Sequence, residues 1–228
     1  MGEKKRKEET RKRWTKVLAV FAGVLFVVLM VVSSLGTGWI TGLAGIKDGQ
    51  AVVIDYTIYG ASGEPVVSTN SQLCQEAAAK GGGIILGKQI QVTANMSQGQ
   101  GIVPVPFYTQ STGWSKEYAL FNPEYAAISS GIVGMKLHDT KKILIPSSSS
   151  MTQAWSSAQL TRKGVNMTEL TIGDKLAMGV SDNPSPLENS TEPTYVRMGE
   201  VMKKNPESVE LNFGYPSIDV TIVSIGSQ

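Results

Sequence analysis

Hydrophobic and polar positions change their spacing along the chain, and these changes predict where helix gives way to strand. Residues 17–35 form a strongly apolar run of 19 positions, which is typical of a long hydrophobic helix. Residues 51–59 are rich in β-branched and aromatic side chains, and residues 217–225 alternate between apolar and polar positions, so both segments predict strands. Segment 128–146 begins with apolar residues at helical spacing and ends in a short strand that Pro146 stops. The pattern predicts an amino-terminal helix followed by an α+β body.

The amino-terminal segment has the charge distribution of a membrane anchor. Residues 1–16 contain eight Lys and Arg against three Glu, whereas residues 17–46 contain no charged residue. Basic residues ahead of an apolar run of about 20 residues predict one transmembrane helix with a cytoplasmic amino terminus. We therefore expect a basic tail at 1–16, a transmembrane helix at 17–38 in contact with the lipid bilayer, a linker at 39–48, and an extracellular body of a cell-membrane protein. A cleaved signal peptide is the alternative.

The remaining composition argues against several classes of site. Outside the basic tail, 13 Lys and Arg face 16 Asp and Glu, so the body has no basic surface for nucleic acid. Cys74 and His138 are the only residues of their types, which predicts neither a disulfide nor a soft-metal site. The sequence contains no glycine-rich phosphate loop, nucleophile elbow or paired-carboxylate motif. We therefore expect no metal and no cofactor.

Two motifs in the body combine strands with a turn or a short helix. The first reads Val-x-Ile-x-Tyr-Thr at 52–57, followed by a glycine turn and Val-Val-Ser-Thr at 66–69. The second reads Gly-Ile-Val-Gly-Met-Lys-Leu-His-Asp-Thr-Lys-Lys-Ile-Leu-Ile-Pro at 131–146. Together they resemble the first hairpin and the central signature of the FKBP-type peptidyl-prolyl isomerases.

The resemblance implies an apolar pocket for a proline ring, formed here by Tyr56, Val66, Val67, Ile128 and Ile218. Tyr56 takes the place of a tyrosine that borders the pocket, whereas Val67 stands where the family usually has an aspartate. Ile128 and Ile218 stand where aromatic residues are usual. Such a pocket needs no nucleophile, because dry surroundings that favour the twisted amide lower a rotation barrier of roughly 18–20 kcal/mol.

The order of the other segments resembles the SlyD-type members of this family, in which a small β domain interrupts the isomerase domain. We expect an FKBP-like domain at 49–146 with an atypical insertion at 71–122, an insert-in-flap-like chaperone domain at 147–216, and a closing strand within 217–228. Aromatic residues of the insertion either border a ligand cleft or form a core of their own: Phe107, Tyr108, Trp114, Tyr118 and Phe121. Methionines of 147–216 either form an adaptable binding surface or fill a small core: Met151, Met167, Met178, Met198 and Met202.

These observations lead to one fold class and two functions. We expect an α+β protein with a single transmembrane helix, an FKBP-like antiparallel sheet wrapped on a short helix, and an inserted small β domain. The first function is a membrane-anchored peptidyl-prolyl isomerase and folding chaperone for exported proteins, with proline-containing unfolded or extended polypeptides as partners. The alternative is an inactive FKBP-like binding module, either a holdase or a subunit of a membrane complex, because the pocket aspartate and several aromatics are missing.

Three Asn-x-Ser/Thr triplets predict glycosylation sites in an extracellular body, at Asn95, Asn166 and Asn189.

Overall fold

The computed structural model describes residues 2–34, 45–80, 82–146, 148–181 and 195–226. The chain separates into two units, Met1–Ala44 and Gly45–Gln228.

The first unit contains one helix, α1 (Gly2–Ser34). Among the residues that the structure describes, no helix is long and apolar enough to cross a membrane. The predicted transmembrane helix at 17–38, and the cell-membrane location that depends on it, are therefore wrong.

The second unit consists mainly of strands. Within the described residues, twelve strands form two six-stranded sheets, accompanied by three helices and two short 3-10 turns. In chain order the elements are β1 (Ala51–Tyr59), β2 (Pro65–Ser68), α2 (Ser71–Ala79), β3 (Ile85–Leu86), β4 (Ile90–Thr93), β5 (Ile102–Thr109), β6 (Gly113–Phe121), α3 (Asn122–Gly131), β7 (Thr140–Leu144), the turn Ser148–Ser150, β8 (Thr152–Ser156), α4 (Ser157–Arg162), the turn Met167–Glu169, β9 (Lys175–Val180), β10 (Tyr195–Lys204), β11 (Ser208–Asn212) and β12 (Ser217–Ile225).

The first sheet has the order β3-β2-β1-β12-β7, and β4 also pairs with β1. Strand β1 pairs antiparallel with β12 from Val52 opposite Ile225 to Tyr59 opposite Ser217. Its side chains alternate strictly between buried and half-buried, as expected when one face of a sheet covers a core. The strands predicted at 51–59 and 217–225 are both confirmed.

Helix α3 covers the inner face of the first sheet. Pro123 lies in its first turn, where a missing N–H costs nothing, and the Glu124 carboxylate accepts a hydrogen bond of 2.9 Å from the Phe121 N–H. Tyr125, Ile128 and Ile132 follow at helical spacing and are 0–1% exposed, so this face of the helix belongs to the core.

The second sheet has the order β5-β6-β10-β11-β8, and β9 also pairs with β10. Its strands come from both 71–122 and 147–216, and they meet where Tyr118 of β6 pairs in parallel with Val196 of β10. The two segments assigned to separate parts of the protein thus share one sheet. These strands also make the unit mainly β rather than the α+β body that the sequence pattern predicts.

The methionines of 147–216 mostly fill cores. Met167 and Met178 belong to a separate core of the second sheet, and Met198 belongs to the core of the first. Met202 is the most exposed of the five, at 38%. The core-filling interpretation therefore describes these residues better than an adaptable surface does.

The chain enters and leaves the 147–216 segment through two connections that touch. Gly214 lies so close to the backbone of Ser148 that a Cβ at position 214 would fall directly onto the Ser148 carbonyl oxygen. Only a residue without a side chain fits at this crossing, because a backbone atom cannot rotate away as a flexible side chain can.

We expect Gly214→Ala to lower the free energy of unfolding by about 1–3 kcal/mol, because the two connections must move apart. The matched control is Gly83→Ala, where a Cβ would meet nothing within 4 Å. Urea unfolding of both variants is the measurement. Equal midpoints for the two variants would contradict the close crossing.

Candidate functional site

The five residues of the predicted proline pocket come together in one core between the first sheet and α3. Their exposed fractions are 5% for Tyr56, 2% for Val66, 1% for Ile128 and 0% for Val67 and Ile218. The side chains therefore pack against one another and their neighbours, although Tyr56 also lines a surface cleft that is described below. A proline ring could reach them only if these neighbours moved.

The Tyr56 hydroxyl is buried and has no hydrogen-bond partner among the described residues. A Cβ at Gly87 would lie 2.5 Å from this hydroxyl and 3.2 Å from Cγ1 of Val67, so the valine and the hydroxyl are close neighbours. A carboxylate at position 67 could accept a hydrogen bond from the hydroxyl, but a valine cannot. Burial, and next the charge of Asp55, raise the pKa of Tyr56 well above its usual range.

A second buried polar group lies at the amino end of α3, one helical turn before Ile128. The Arg197 guanidinium forms a two-pronged ion pair with Glu124, and both side chains are at most 1% exposed. Arg197 also donates to the carbonyl oxygens of Ala119, at 2.8 Å, and Phe213, at 3.0 Å from Nε. All three nitrogens of the guanidinium thus donate to an acceptor. A buried charge is tolerated under this condition.

Aromatic rings surround this ion pair. The Arg197 guanidinium carbon lies 3.8 Å from the ring centre of Tyr215 and 4.2 Å from that of Phe121. The Tyr118 hydroxyl bonds the Tyr215 hydroxyl, which donates to the Met198 carbonyl at 2.9 Å. Burial raises the pKa of both tyrosines. We call these five side chains, Arg197, Glu124, Tyr118, Tyr215 and Phe121, the Arg197 cluster.

The Arg197 cluster joins the second sheet to α3 instead of offering a reactive group. Burial disfavours the charge on Arg197, but Glu124 and the two tyrosines outweigh it and raise the pKa of the arginine. The guanidinium therefore stays charged and paired. The sequence carries one signal for it, because Arg197 stands among apolar neighbours in β10, but this signal alone does not identify Glu124 as its partner.

Two neighbouring clefts open on the outer face of the first sheet. One, of about 310 Å³, is lined by Asp55, Tyr56, Thr57, Thr69, Asn70, Asp219 and Thr221. The other, of about 500 Å³, is lined by Val53, Asp55, Thr69, Ser71, Leu86, Gly87, Lys88, Gln89, Ile90, Gln91 and Trp114. We call them the acidic cleft and the Trp114 cleft. Of the five aromatics considered for a ligand cleft, Trp114 lines one, whereas Phe107 and Tyr118 are buried in the core.

The glycosylation triplets differ in their surroundings. Asn95 is exposed in a turn, with a left-handed backbone (φ 53°). The Asn166 side chain accepts from the Thr168 hydroxyl and donates to Glu169, both at 2.8 Å. Asn189 lies outside the described residues.

Comparison with known proteins adds no functional assignment. No protein-family model matches the chain, and no curated protein matches it. Within the described residues, no group of three or more His, Cys, Asp or Glu is placed to hold a metal ion. The geometry of the core and of the outer clefts is therefore the basis for any functional proposal.

Removal of Arg197 should be costly because it leaves Glu124 buried without its partner. We expect Arg197→Met to lower the free energy of unfolding by about 3–5 kcal/mol, and the double variant Arg197→Met/Glu124→Leu to recover much of that loss. Denaturant unfolding of the two single variants and the double variant gives the coupling energy. Additive losses would show that the two side chains do not depend on each other.

The two classes of buried tyrosine should respond differently to loss of the hydroxyl. Tyr56→Phe removes an unpaired hydroxyl, so we expect the free energy of unfolding at neutral pH to stay equal or rise by up to about 1 kcal/mol. Tyr215→Phe, the matched control, removes a hydroxyl with two partners and should cost about 1–3 kcal/mol.

Alkaline pH gives a further test of the raised pKa of Tyr56. Above about pH 10 an unfolded tyrosine loses its proton while the buried one keeps it, so the unfolded state binds fewer protons and stability falls as pH rises. Tyr56→Phe should therefore lose less stability than the native protein, by up to about 1.4 kcal/mol per pH unit between pH 10 and 11. Parallel pH profiles would mean that the hydroxyl is not buried.

Proposed function

We propose that residues 45–228 form a polypeptide-binding module that holds extended or unfolded chains, and that this module isomerises prolyl bonds slowly or not at all. It would be an FKBP-like scaffold, used for binding rather than turnover. The observation that carries the proposal is the closed core at the predicted proline pocket, where no side chain is more than 5% exposed.

Catalysis of prolyl rotation requires that the ring and its preceding carbonyl enter a dry pocket. Here Val66, Val67 and Ile218 are packed within the core, and Val67 provides no polar group toward the substrate or toward Tyr56. The Arg197 cluster occupies the neighbouring space at the amino end of α3. Opening this pocket would therefore disturb buried apolar contacts and a buried ion pair, which is an energetic cost that a binding role avoids.

Exposed apolar side chains supply the surface that a binding role needs. Tyr108, Trp114 and Leu144 are exposed by 45%, 46% and 70%. Aromatic and aliphatic side chains of this kind contribute most of the binding energy at peptide-binding surfaces, whereas isolated exposed residues are ordinary. The first two matter most, because Tyr108 and Trp114 contact each other at the edge of a cleft.

Prolyl isomerisation is the second candidate. The observation in its favour is that all five predicted pocket residues belong to one core between α3 and the first sheet. A substrate that displaced Tyr56 would meet an apolar site there. Turnover would then depend on an opening motion and would be slow.

A paired assay on the full chain separates these candidates. We expect the protein to suppress light scattering by a chemically unfolded client at near-equimolar ratio, and to leave the isomerisation of an Ala-Pro tetrapeptide at its uncatalysed time of tens of seconds. An inert folded protein at equal concentration is the control for scattering. Acceleration in proportion to protein concentration would favour the isomerase, and the absence of both activities would refute the binding module.

A further inference from the structure

The acidic cleft and the Trp114 cleft adjoin, because Asp55 and Thr69 line both, and we call the pair the groove. Their volumes, about 310 and 500 Å³, each fall in the range of about 300–1,000 Å³ that is typical of ligand sites. The groove lies on the outer face of the first sheet, where the outward-pointing residues of β1 are half-buried. The groove borders the closed core, because Tyr56 lines the acidic cleft and the backbone of Gly87 lies over the Tyr56 hydroxyl.

One half of the groove is apolar and aromatic. Val53, Leu86 and Ile90 line it together with Trp114, and the Trp114 ring meets the Tyr108 ring edge to face with centres 5.6 Å apart. The two rings brace each other while each remains almost half exposed. Rigid, partly exposed aromatics lose little conformational freedom on binding, which is why they serve as anchors for peptide side chains.

Gly87 lies where this half of the groove meets the core. A Cβ there would point into the core and collide with the Tyr56 hydroxyl, so the backbone at Gly87 lies directly on the core. The Gly87 N–H also donates to the Ser68 carbonyl at 2.9 Å. The backbone is therefore held against the core on this side of the groove.

The other half of the groove is acidic. Thr57 faces Asp219 and Asp55 faces Thr221 across the β1–β12 pairing, so the two carboxylates lie diagonally on one face. Asp55 accepts a hydrogen bond from Gln89, and Asp219 accepts one from the Tyr59 hydroxyl at 2.9 Å. Neither carboxylate forms an ion pair with a Lys, Arg or His among the described residues.

Two lysines border the groove without closing it. Lys88 lines the Trp114 cleft, and Lys142 lies opposite Asp219 on β7, with its ammonium 5.0 Å from the ring centre of Tyr59. The carboxylates therefore remain available to a cation from outside. An aromatic and aliphatic half next to an unpaired acidic half is complementary to an apolar residue next to a basic one.

We propose that this groove binds an extended polypeptide segment in which an apolar residue packs on Trp114 and a nearby Lys or Arg reaches Asp55 and Asp219. The inference rests on the proposed binding function and gives it a site and a client chemistry. In an extended segment, side chains two positions apart point the same way and lie about 7 Å apart. A Leu-x-Arg spacing thus places both side chains on one face of the bound chain.

Fluorescence anisotropy of a labelled peptide tests the proposal on the full chain. The probe is Ser-Gly-Leu-Pro-Leu-Arg-Arg-Ser-Gly, and the matched probe replaces both arginines with glutamates. We expect the basic probe to bind at least about tenfold more tightly than the acidic one at low salt, and the difference to shrink at about 0.5 M NaCl because rim charges are screened.

Variants locate the binding site. Trp114→Ala should weaken the basic probe by about tenfold or more, and Asp55→Asn/Asp219→Asn should weaken it severalfold at low salt and much less at high salt. The controls are Ile172→Ala, which removes an apolar side chain that is 70% exposed elsewhere, and Asp48→Asn, which removes an exposed carboxylate in another turn. Both controls should bind the probe as the native protein does.

The outcomes separate this inference from the function on which it rests. If client aggregation is suppressed but Trp114→Ala and the double Asn variant bind and suppress like the native protein, the groove is wrong and the binding module stands. If the native protein neither binds the basic probe nor suppresses aggregation, both fail. Equal binding of the acidic and basic probes would overturn the charge complementarity even if Trp114 contributes.

Discussion

The ion pair between Arg197 and Glu124 is the contact on which the arrangement of the second unit depends. A guanidinium in β10 and a carboxylate in the first turn of α3 are both removed from water, so each needs the other. Two backbone carbonyls and three aromatic rings complete the surroundings of the arginine. The second sheet is thereby held against the amino end of the helix that covers the first sheet.

This constraint helps to explain why the five residues predicted to line a proline pocket are closed into the core. The helix face that carries Ile128 also carries Glu124 one turn earlier. Arg197, from the second sheet, packs against that turn. Val66, Val67, Ile128 and Ile218 are at most 2% exposed, so they pack with their neighbours and leave no open cavity among them. Val67 also offers no acceptor to the nearby Tyr56 hydroxyl, which has no partner among the described residues.

Local patterns in the sequence were informative wherever the structure is local. Alternation predicts β1 and β12. The residues predicted to line a proline pocket belong to one core, but their exposure depends on what covers them, and that comes from distant segments. The parallel pairing of Tyr118 with Val196 joins strands that are far apart in the chain, and the residue pattern of neither strand predicts it. Strand β8 likewise depends on a distant partner, because pairing with β11 outweighs local preference.

The β1–β12 pairing has a consequence for the order of events during synthesis. Val52 finds its partner only when Ile225 has been made, 173 positions later. At roughly 5–20 residues per second, the central strand of the first sheet waits on the order of 10–35 seconds for its neighbour. During that interval its backbone is an open edge, and Asp55, a charged side chain in the middle of the strand, is the kind of residue that discourages pairing with another chain. High contact order thus lengthens the period in which a nascent copy of this protein exposes an unpaired strand.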